Sequence, residues 1–567
     1  MNSNNNVIDQ HPWASNKIVE IAIRLFERLR PRLFGLSTWL FIVLFGLTGI
    51  ITLPNYGLTW DEALGNMFFG QRYLYYFATF NPDFLDFELE TLAIHDRSFN
   101  LYESPFRSKP HEFPAFADTL SALFMETLSY GLGWLDPVDA FHLSPILLAM
   151  VLLVALFRWS RHHIGEYAAF LGIFMLGTYP RFWGDMHFNV KDIPETIFFA
   201  FTIMAFWVWY RNPSWLRAIV VGGLFGLAVA IKANALFIPV ILIVGIWPWQ
   251  LTTRPWQNVI SHLRQYWSHY ILMGFISPLL YFASWPYLYA DPSRVMRHIS
   301  YIRSQGGREG VSGWNWEPTI QAVSTMPEMV LLLLLVGLGF AVYHWRDSQG
   351  AFPKLLVIWL FVPIIRTSLP GTVNFDGIRY FEEFVPAACM LAGYGGVCLA
   401  TAIGRRLHFT PFIIFELILL NIAIITFQFH PYQHIYFNSL VGGLSGAHHE
   451  YQFPEATDYW GSSYREGIRW LNENVPENTQ VYVSVAPHIV HLVDPIWLRD
   501  DLTIIEEAYL IEKNPVHVPI YVMTVTRKSL YDNLAAYCAA RLEPVHEIVV
   551  DDVPILQIYR VEKMPVF

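Results

Sequence analysis

The sequence predicts a polytopic α-helical membrane protein that ends in a smaller α/β domain. Three observations support this fold class. The 567 residues are 54% hydrophobic, and only 15% are charged, compared with about 25% in ordinary soluble proteins. Several apolar runs reach the roughly 20 residues that span a bilayer. From about residue 441 onward the apolar runs shorten and charged residues return.

The apolar runs predict about eleven membrane spans. A soluble chain of this length would divide into domains with polar surfaces, whereas apolar runs recur here from residue 36 to residue 427. The candidate spans are about 36–54, 142–158, 167–183, 193–210, 217–231, 234–249, 267–288, 327–344, 354–369, 384–400 and 411–427. The chain then comprises a basic N-terminal segment (1–35), a membrane domain (36–440) and a C-terminal α/β domain (441–567).

Lysines and arginines in the short loops predict the orientation, because cytoplasmic loops carry an excess of both residues. With eleven spans, six basic segments fall on one side: the leader with Lys17, Arg24, Arg28, Arg30 and Arg32, then Arg158 and Arg161, Arg211 and Arg217, Arg254 and Arg264, Arg346 and Lys354, and Arg405 and Arg406. We therefore expect a multi-pass protein of the cytoplasmic membrane. Its N-terminus would be cytoplasmic, and its first long loop (about 55–141) and C-terminal domain would be extracytoplasmic.

Residues 113–134 are apolar enough to be a further span but carry Asp118 and Glu126. A span here would also break the alternation of basic loops. We therefore predict an amphipathic helix on the outer surface or dipping partly into the membrane.

The C-terminal domain shows the periodicities of helices and strands in turn. Helices are predicted at 464–475 and 528–541. The predicted strands are 479–485, 518–525, 546–550 and 553–560.

Several classes of function find no support in the sequence. The formal charge of −10 comes without clustered basic faces, so a nucleic-acid partner is not expected. The three cysteines show neither metal-ligand spacing nor a disulfide framework. The phosphate-loop and dinucleotide-binding glycine motifs are both missing. A reaction at the outer face would therefore need a substrate that is activated differently, and a sugar on a polyprenyl phosphate meets that need.

The first candidate site is Thr59-Trp60-Asp61-Glu62, directly after the first predicted span. A carboxylate at the membrane surface can take a proton from an acceptor hydroxyl or amine, which is the role considered for Asp61. The same residues also fit a capping box, in which Thr59 and Glu62 open a helix. The two roles are compatible, because a cap would hold the carboxylate rigid.

The second candidate site lies directly before another span, at residues 187–194. Pro194 suits the first turn of a helix and Asp192 suits its cap. A capped helix with a snorkelling Lys191 is therefore the structural alternative. In the predicted topology this loop faces the same side as Asp61, and two acidic sites on one face favour a functional site.

Basic residues on the predicted outer side form a third group. Lys232 lies between two spans, where an ionisable residue is costly and often functional, although it could simply close a helical hairpin at the interface. Arg379 and Lys109 lie in other outer loops, against the positive-inside tendency. A ligand that bears a phosphate would explain these cations, and pairing with nearby carboxylates is the alternative.

The order of the motifs resembles a known family. T-W-D-E is followed by K-D-I-P-E-T-I-F-F-A-F and G-L-A-V-A-I-K-A-N-A-L-F-I-P, and later by F-D-G-I-R-Y-F-E-E-F-V-P, H-P-Y-Q-H-I-Y-F-N-S-L-V-G-G-L-S-G-A and D-Y-W-G. Over about residues 36–470 the chain resembles the membrane glycosyltransferases of the C-type (GT-C) fold. The nearest groups are bacterial relatives of protein O-mannosyltransferases and aminoarabinose transferases, within glycosyltransferase family 39.

The resemblance implies roles for the candidate residues. Asp61, with Glu62 beside it, would be the catalytic base. Asp192 would help to hold the acceptor or a divalent metal, for which His187 is a candidate ligand. The family's pattern around the donor-binding basic residue is altered here to K-P-H-E-F-P. The candidate ligands of the donor phosphate are Lys191, Lys109, Lys232 and Arg379.

The expected function is transfer of a sugar from a polyprenyl-phosphate donor, with inversion, at the outer membrane face. The partners would be the lipid-linked donor, membrane lipid, and an acceptor that could be a protein, a lipid or a glycan. A transporter or flippase for a lipid-linked or acidic solute is the main rival, although the sequence shows no matching halves. The second rival is a non-catalytic assembly protein whose C-terminal domain binds a partner.

Overall fold

The computed structural model describes residues 17–87, 109–110, 114–246, 255–305, 312–345, 351–372, 376–407, 412–505 and 519–565. Much of the predicted outer loop 55–141, from residue 88 to residue 113 except 109–110, lies outside the described residues.

The described part of the membrane domain is almost entirely helical. Its helices, in chain order, are α1 (Lys17–Thr52), α2 (Met67–Thr79), α3 (Phe116–Phe124), α4 (Pro137–Ile164), α5 (Glu166–Gly177), α6 (Pro180–Asp185), α7 (Asp192–Arg211), α8 (Trp215–Val229), α9 (Ile238–Ile246), α10 (Pro255–Ala283), α11 (Pro286–Ala290), α12 (Pro292–Gln305), α13 (Glu317–Ser324), α14 (Glu328–Tyr343), α15 (Ala351–Ser368), α16 (Val385–Leu407), α17 (Phe412–Gln428) and α18 (Gly443–His449). Short 3-10 turns at Gly377–Tyr380 and Glu382–Phe384 precede α16.

Each of the predicted spans overlaps one of these helices. Among the described residues, five helices are long and apolar enough to cross a bilayer, and a sixth crossing results if α13 and α14, bent by 114°, form one span. Further apolar helical segments of 10–17 residues lie at Glu166–Gly177, Trp215–Val229 and Ala233–Gly245. The chain is thus a multi-pass membrane protein, and the count of eleven crossings stays a prediction.

Glycines allow the helices around α16 to approach one another closely. A Cβ at Gly393 would lie 2.2 Å from the carbonyl oxygen of Ala168 on α5. On the other side of α16, a Cβ at Gly337 of α14 would lie 2.1 Å from the carbonyl oxygen of Leu391. Larger residues at either glycine would push the helices apart, as expected where small residues drive packing in membranes.

The predicted helix within 113–134 is present as α3, which continues into a π-helical turn at Met125–Gly131. The carboxylate of Asp118, however, does not face water as an amphipathic surface helix would require, and Glu126 is only partly exposed. Asp118 is fully buried against α2, and Glu126 accepts hydrogen bonds from Gln71 at 2.7 Å and Tyr75 at 2.8 Å. Partners from α2, which the local pattern could not reveal, explain the difference.

The C-terminal domain is a mixed five-stranded sheet with the strand order β2-β1-β3-β5-β4. The central β3 pairs in parallel with β1 and antiparallel with β5. The predicted strands and helices are all present, whereas β2 and α20 were missed, because β2 has three residues and α20 contains an internal proline. The elements are α19 (Tyr464–Asn474), β1 (Gln480–Val483), α20 (Pro487–Trp497), β2 (Thr503–Ile505), β3 (Ile520–Val525), α21 (Asn533–Arg541), β4 (His546–Val550) and β5 (Val553–Val561).

A buried arginine joins the C-terminal domain to the membrane domain. Arg465 of α19 donates hydrogen bonds to Asp139 at 2.5 Å and to Asp136 at 2.8 Å, both at the start of α4. Its guanidinium also lies 4.3 Å from the ring centre of Trp497. Arg465 also donates to the carbonyl oxygen of Tyr56 at 2.9 Å, so it joins the C-terminal domain to the residues that follow α1.

Candidate active site

The loop after α1 exposes Asp61 and turns Glu62 inward. Glu62 accepts hydrogen bonds from Thr59, from the backbone N at 3.0 Å and from Oγ1 at 2.7 Å, and its Oε1 lies 2.9 Å from Nε2 of His142. The bond from the backbone N of Thr59 to Glu62 is one of the two hydrogen bonds of the predicted capping box. The Asp61 side chain is 41% exposed and that of Glu62 is 1% exposed, so Glu62 is suited to holding the loop rather than to contacting a substrate.

The C-terminal domain lies directly against this loop. A Cβ at Gly57 would be 2.1 Å from the carbonyl oxygen of Ser462, and the backbone N of Trp60 donates a hydrogen bond to the carbonyl oxygen of Trp460 at 3.0 Å. Glycine is needed at position 57 because no side chain fits between the two backbones. Residues of both domains therefore contact the segment that carries Asp61 and hold it in place.

A chain of ion pairs begins at Asp61. Arg379 donates to Asp61 Oδ2 at 2.7 Å and, with its other terminal nitrogen, to Asp376 at 3.0 Å. Arg527 of the C-terminal domain donates to the second oxygen of Asp376 at 3.0 Å. Arginine suits this arrangement because its planar fork can bind two carboxylates at fixed angles.

Aromatic rings frame the ion pairs. The guanidinium of Arg379 lies 4.5 Å from the ring centre of Trp460 and 5.1 Å from that of Tyr380. Such cation–π contacts stabilise a charge that has lost part of its water. In the same loop, Trp60 packs edge-on against His488 at 5.4 Å. Burial lowers the pKa of His488 to about 4, so this imidazole is neutral at pH 7.

Asp192 and Lys232, two of the predicted site residues, form an ion pair at 2.6 Å. Lys232 also lies 4.8 Å from the ring centre of Tyr380 and donates to the carbonyl oxygen of Arg379 at 3.5 Å. The second predicted acidic site therefore adjoins the first through residues 379–380. Asp192 is not the helix cap that the sequence suggested, because Asn189 Oδ1 accepts from the backbone N of Asp192 at 2.8 Å.

Lys191 forms a separate ion pair with Asp118, at 2.7 Å. Asn66 donates a further hydrogen bond to Asp118 at 3.0 Å. Burial raises the pKa of Asp118 to about 6, even though Lys191 favours the charged form. The positive charge of Lys191 is therefore paired with Asp118. Its side chain is mostly buried and does not snorkel towards water.

His187 has a structural environment. Its ring stacks on Tyr56 at 3.9 Å, its Nδ1 lies 2.7 Å from the carbonyl oxygen of Trp183, and its Nε2 lies 3.0 Å from Oγ1 of Thr52. Because both ring nitrogens have such partners, His187 does not fit the metal-ligand role considered from the sequence. No group of three or more His, Cys, Asp or Glu suited to a metal occurs in the described part of the chain.

Buried ionisable side chains lie near the 3-10 turn that carries Arg379, and Arg181 approaches it closely. Gly377 has a φ of +74°, and a Cβ there would lie 2.7 Å from Nη1 of Arg181. Arg181, Asp185 and Glu382 are at most 1% exposed. Both the backbone conformation and the close approach of Arg181 therefore require glycine at this position.

The structure brings four of the predicted site residues together. Asp61, Arg379, Lys232 and Asp192 are connected by the contacts above. Lys109 is exposed, and its assignment to the donor phosphate stays a prediction.

Four further residues of this region were not predicted as site residues from the sequence. Asp376 lies in a motif that the sequence analysis quoted, three residues before Arg379, and Asp118 was noted as an anomaly within an apolar segment. Neither Arg527 nor His142 has a local sequence signal. Arg527 pairs with Asp376, which lies 151 residues away in the sequence. His142 pairs with Glu62, in the loop after α1.

No protein-family model matches the sequence, and no curated protein matches it. Solved structures do resemble it. ArnT from Cupriavidus metallidurans bound to undecaprenyl phosphate gives a TM-score of 0.47 at 13% identity, covering 92% of this chain and 97% of that chain. The archaeal oligosaccharyltransferase AglB from Archaeoglobus fulgidus, in complex with an inhibitory peptide and a dolichol-phosphate, gives 0.45 at 14% identity, covering 88% and 70%.

These neighbours are glycosyltransferases of the GT-C fold. The resemblance of this chain to them is one of overall fold, at low sequence identity. Because the TM-scores lie below 0.5, the function has to be inferred from this chain's own residues.

Proposed function

We propose that this protein transfers a sugar from a polyprenyl-phosphate-linked donor to an acceptor, with inversion and with Asp61 as the general base. The proposal adopts the predicted orientation, with the N-terminus in the cytoplasm and the site and C-terminal domain outside the cytoplasmic membrane. The acceptor is a protein, a lipid or a glycan.

The accessibility of Asp61 is the observation that supports this proposal most strongly. Its side chain is 41% exposed, whereas the side chains of Asp376, Asp192 and Asp118 are 12%, 5% and 0% exposed. An acceptor group can therefore reach Asp61 more easily than the other three aspartates. The bond from Arg379 orients the carboxylate through Oδ2, and a fixed carboxylate within reach of a proton is what general-base catalysis requires.

The predicted donor ligands are cations, which suit a phosphate leaving group. Lys191 and Lys232 are 16% and 23% exposed and are each paired with an aspartate. Together with Arg379 and the exposed Lys109, they are the proposed ligands of the donor phosphate. Preorganised cations stabilise negative charge as it develops on the departing phosphate.

The proposed step is a single displacement. Asp61 accepts the proton of the acceptor hydroxyl or amine, and the freed electron pair forms a bond to the anomeric carbon. The bond from that carbon to the phosphate oxygen breaks in the same step, through an oxocarbenium-like transition state. Polyprenyl phosphate leaves with the electron pair, and the configuration at the anomeric carbon is inverted. Asp192 is proposed to help hold the acceptor.

The test uses the full-length protein in liposomes with a panel of polyprenyl-phosphate sugars and a membrane extract as the acceptor source. Release of polyprenyl phosphate is measured by mass spectrometry. We expect Asp61→Asn to slow release by about 10²–10⁴-fold without changing expression or thermal unfolding. Asp83→Asn, at an exposed aspartate between α2 and α3, is the matched control and should remain active.

Two outcomes would count against the proposal. A wild-type protein that consumes no donor in the panel would contradict sugar transfer. A fully active Asp61→Asn protein would contradict the assignment of the base while leaving transfer intact.

A further inference from the structure

We infer that Arg527 of the C-terminal domain is a positioning residue for the active site, acting through Asp376 on Arg379 and so on Asp61. This inference rests on the proposed function. It makes the C-terminal domain a component of the site rather than a separate binding module.

The contacts form an unbroken series across two domains. Arg527 and Arg379 each donate to a different oxygen of Asp376, both at 3.0 Å, and Arg379 then donates to Asp61 at 2.7 Å. With both oxygens of Asp376 bound, the carboxylate has one orientation. Arg379 therefore meets Asp61 at a fixed angle, since its two terminal nitrogens lie in one plane.

The backbone supports this function of Asp376. Asp376 has a φ of +60° and Gly377 a φ of +74°, so two successive residues adopt the left-handed conformation. Aspartate tolerates this region better than most residues, but at a cost that surrounding contacts have to offset. The ion pair with Arg527 supplies such a contact from outside the turn.

Arg527 itself is held by a rigid scaffold. It follows the central strand β3 by two residues, and its Nη1 donates to the carbonyl oxygen of Tyr459 at 3.5 Å. The neighbouring Thr526 donates to the carbonyl oxygen of Pro554 at 2.7 Å and bonds Thr457 at 2.6 Å. A side chain on such a frame can hold Asp376 in place with little loss of precision.

The experiment compares Arg527→Gln with Arg527→Lys and with the control Arg560→Gln, which removes a solvent-exposed ion pair of the same domain. Steady-state kinetics and hydrogen exchange of residues 376–384 are measured on the full-length protein. For Arg527→Gln we expect kcat to fall roughly tenfold, with the donor KM within about twofold, because the orientation of Asp61 changes more than donor binding. Arg527→Lys should recover part of kcat.

Hydrogen exchange tests the same contacts without any substrate. Residues 376–384 should exchange several-fold faster in Arg527→Gln than in the wild type or in Arg560→Gln, because local opening becomes easier. Unchanged exchange and unchanged kcat in Arg527→Gln would overturn the inference, even if sugar transfer is established. Faster exchange in a protein that shows no transfer would instead support the positioning contact and contradict the proposed function.

Discussion

Two arginines of this protein have nearly the same surroundings, but their aspartate partners differ in accessibility. Each donates to two aspartates and lies over a tryptophan ring. The partners are Asp61, Asp376 and Trp460 for Arg379, and Asp139, Asp136 and Trp497 for Arg465. Both arginines are less than 10% exposed.

The difference lies in the aspartates. Asp139 is 5% exposed and Asp136 is 27% exposed, so the contact with Arg465 is largely buried, and it joins the two domains. Asp61 is 41% exposed, so the contact with Arg379 leaves a carboxylate available to solvent or substrate. The same set of residue types therefore makes a structural clamp in one place and a candidate reactive group in the other.

The largest effect on stability is expected from Arg465→Gln. Removing one partner of a buried ion pair typically costs about 3–5 kcal/mol, because the remaining charge is left without compensation. Thermal or denaturant unfolding of the purified protein measures the change, and Arg560→Gln serves as the exposed control with little expected effect. Equal stability of the two variants would show that Asp139 finds other partners.

Arg379→Gln should have the opposite profile, with loss of activity greater than loss of stability. Turnover is expected to fall about 10²–10³-fold, since a preorganised positive charge is removed from the site. The stability loss should be smaller than in Arg465→Gln, because Asp61 can regain water and Asp376 keeps Arg527. Release of polyprenyl phosphate and thermal unfolding are measured on one preparation. A stable, fully active Arg379→Gln protein would contradict the functional role assigned to Arg379.

The smallest expected effect is a change in the free energy of unfolding with pH. Burial lowers the pKa of His488 to about 4 from an ordinary 6.5, so between these values the folded state binds fewer protons than the unfolded state. The resulting stability is present above pH 6.5 and is lost as pH falls towards 4. We expect the free energy of unfolding to fall on the order of 2 kcal/mol from pH 6.5 to pH 5 through this group.

The variant His488→Gln provides the check. Denaturant unfolding at several pH values should show a weaker loss of stability towards acid than in the wild type. A variant with an unchanged pH profile would mean that His488 takes up its proton equally well in both states.

Local patterns predicted much of the fold. Runs of about 20 apolar residues located the long helices, and alternation located four of the five strands, because helix and strand periods depend on neighbouring residues. For the segment 113–134, local patterns predicted only part of the structure. Its helical form followed from its own residues, whereas the burial of Asp118 depended on α2 and Lys191.

The candidate site was predicted in part for the same reason. Lys232 stood out because an ionisable residue between two spans is costly. Asp61 and Asp192 stood out as acidic residues on the predicted outer face, and Arg379 as a cation there against the positive-inside tendency. Their pairing could not be predicted, since Arg379 lies 318 residues from Asp61 and Lys232 lies 40 residues from Asp192. No local signal distinguishes such partners from other charged residues.

By itself, the sequence determined that this is a multi-pass membrane protein with a C-terminal α/β region and charged residues at helix ends, because hydrophobicity and periodicity are local properties. The tertiary structure decided which carboxylate is accessible and which charges are neutralised. Those outcomes depend on burial and on distances between atoms far apart in the chain. For that reason Asp61 and Glu62, adjacent in sequence, have such different environments in the folded protein.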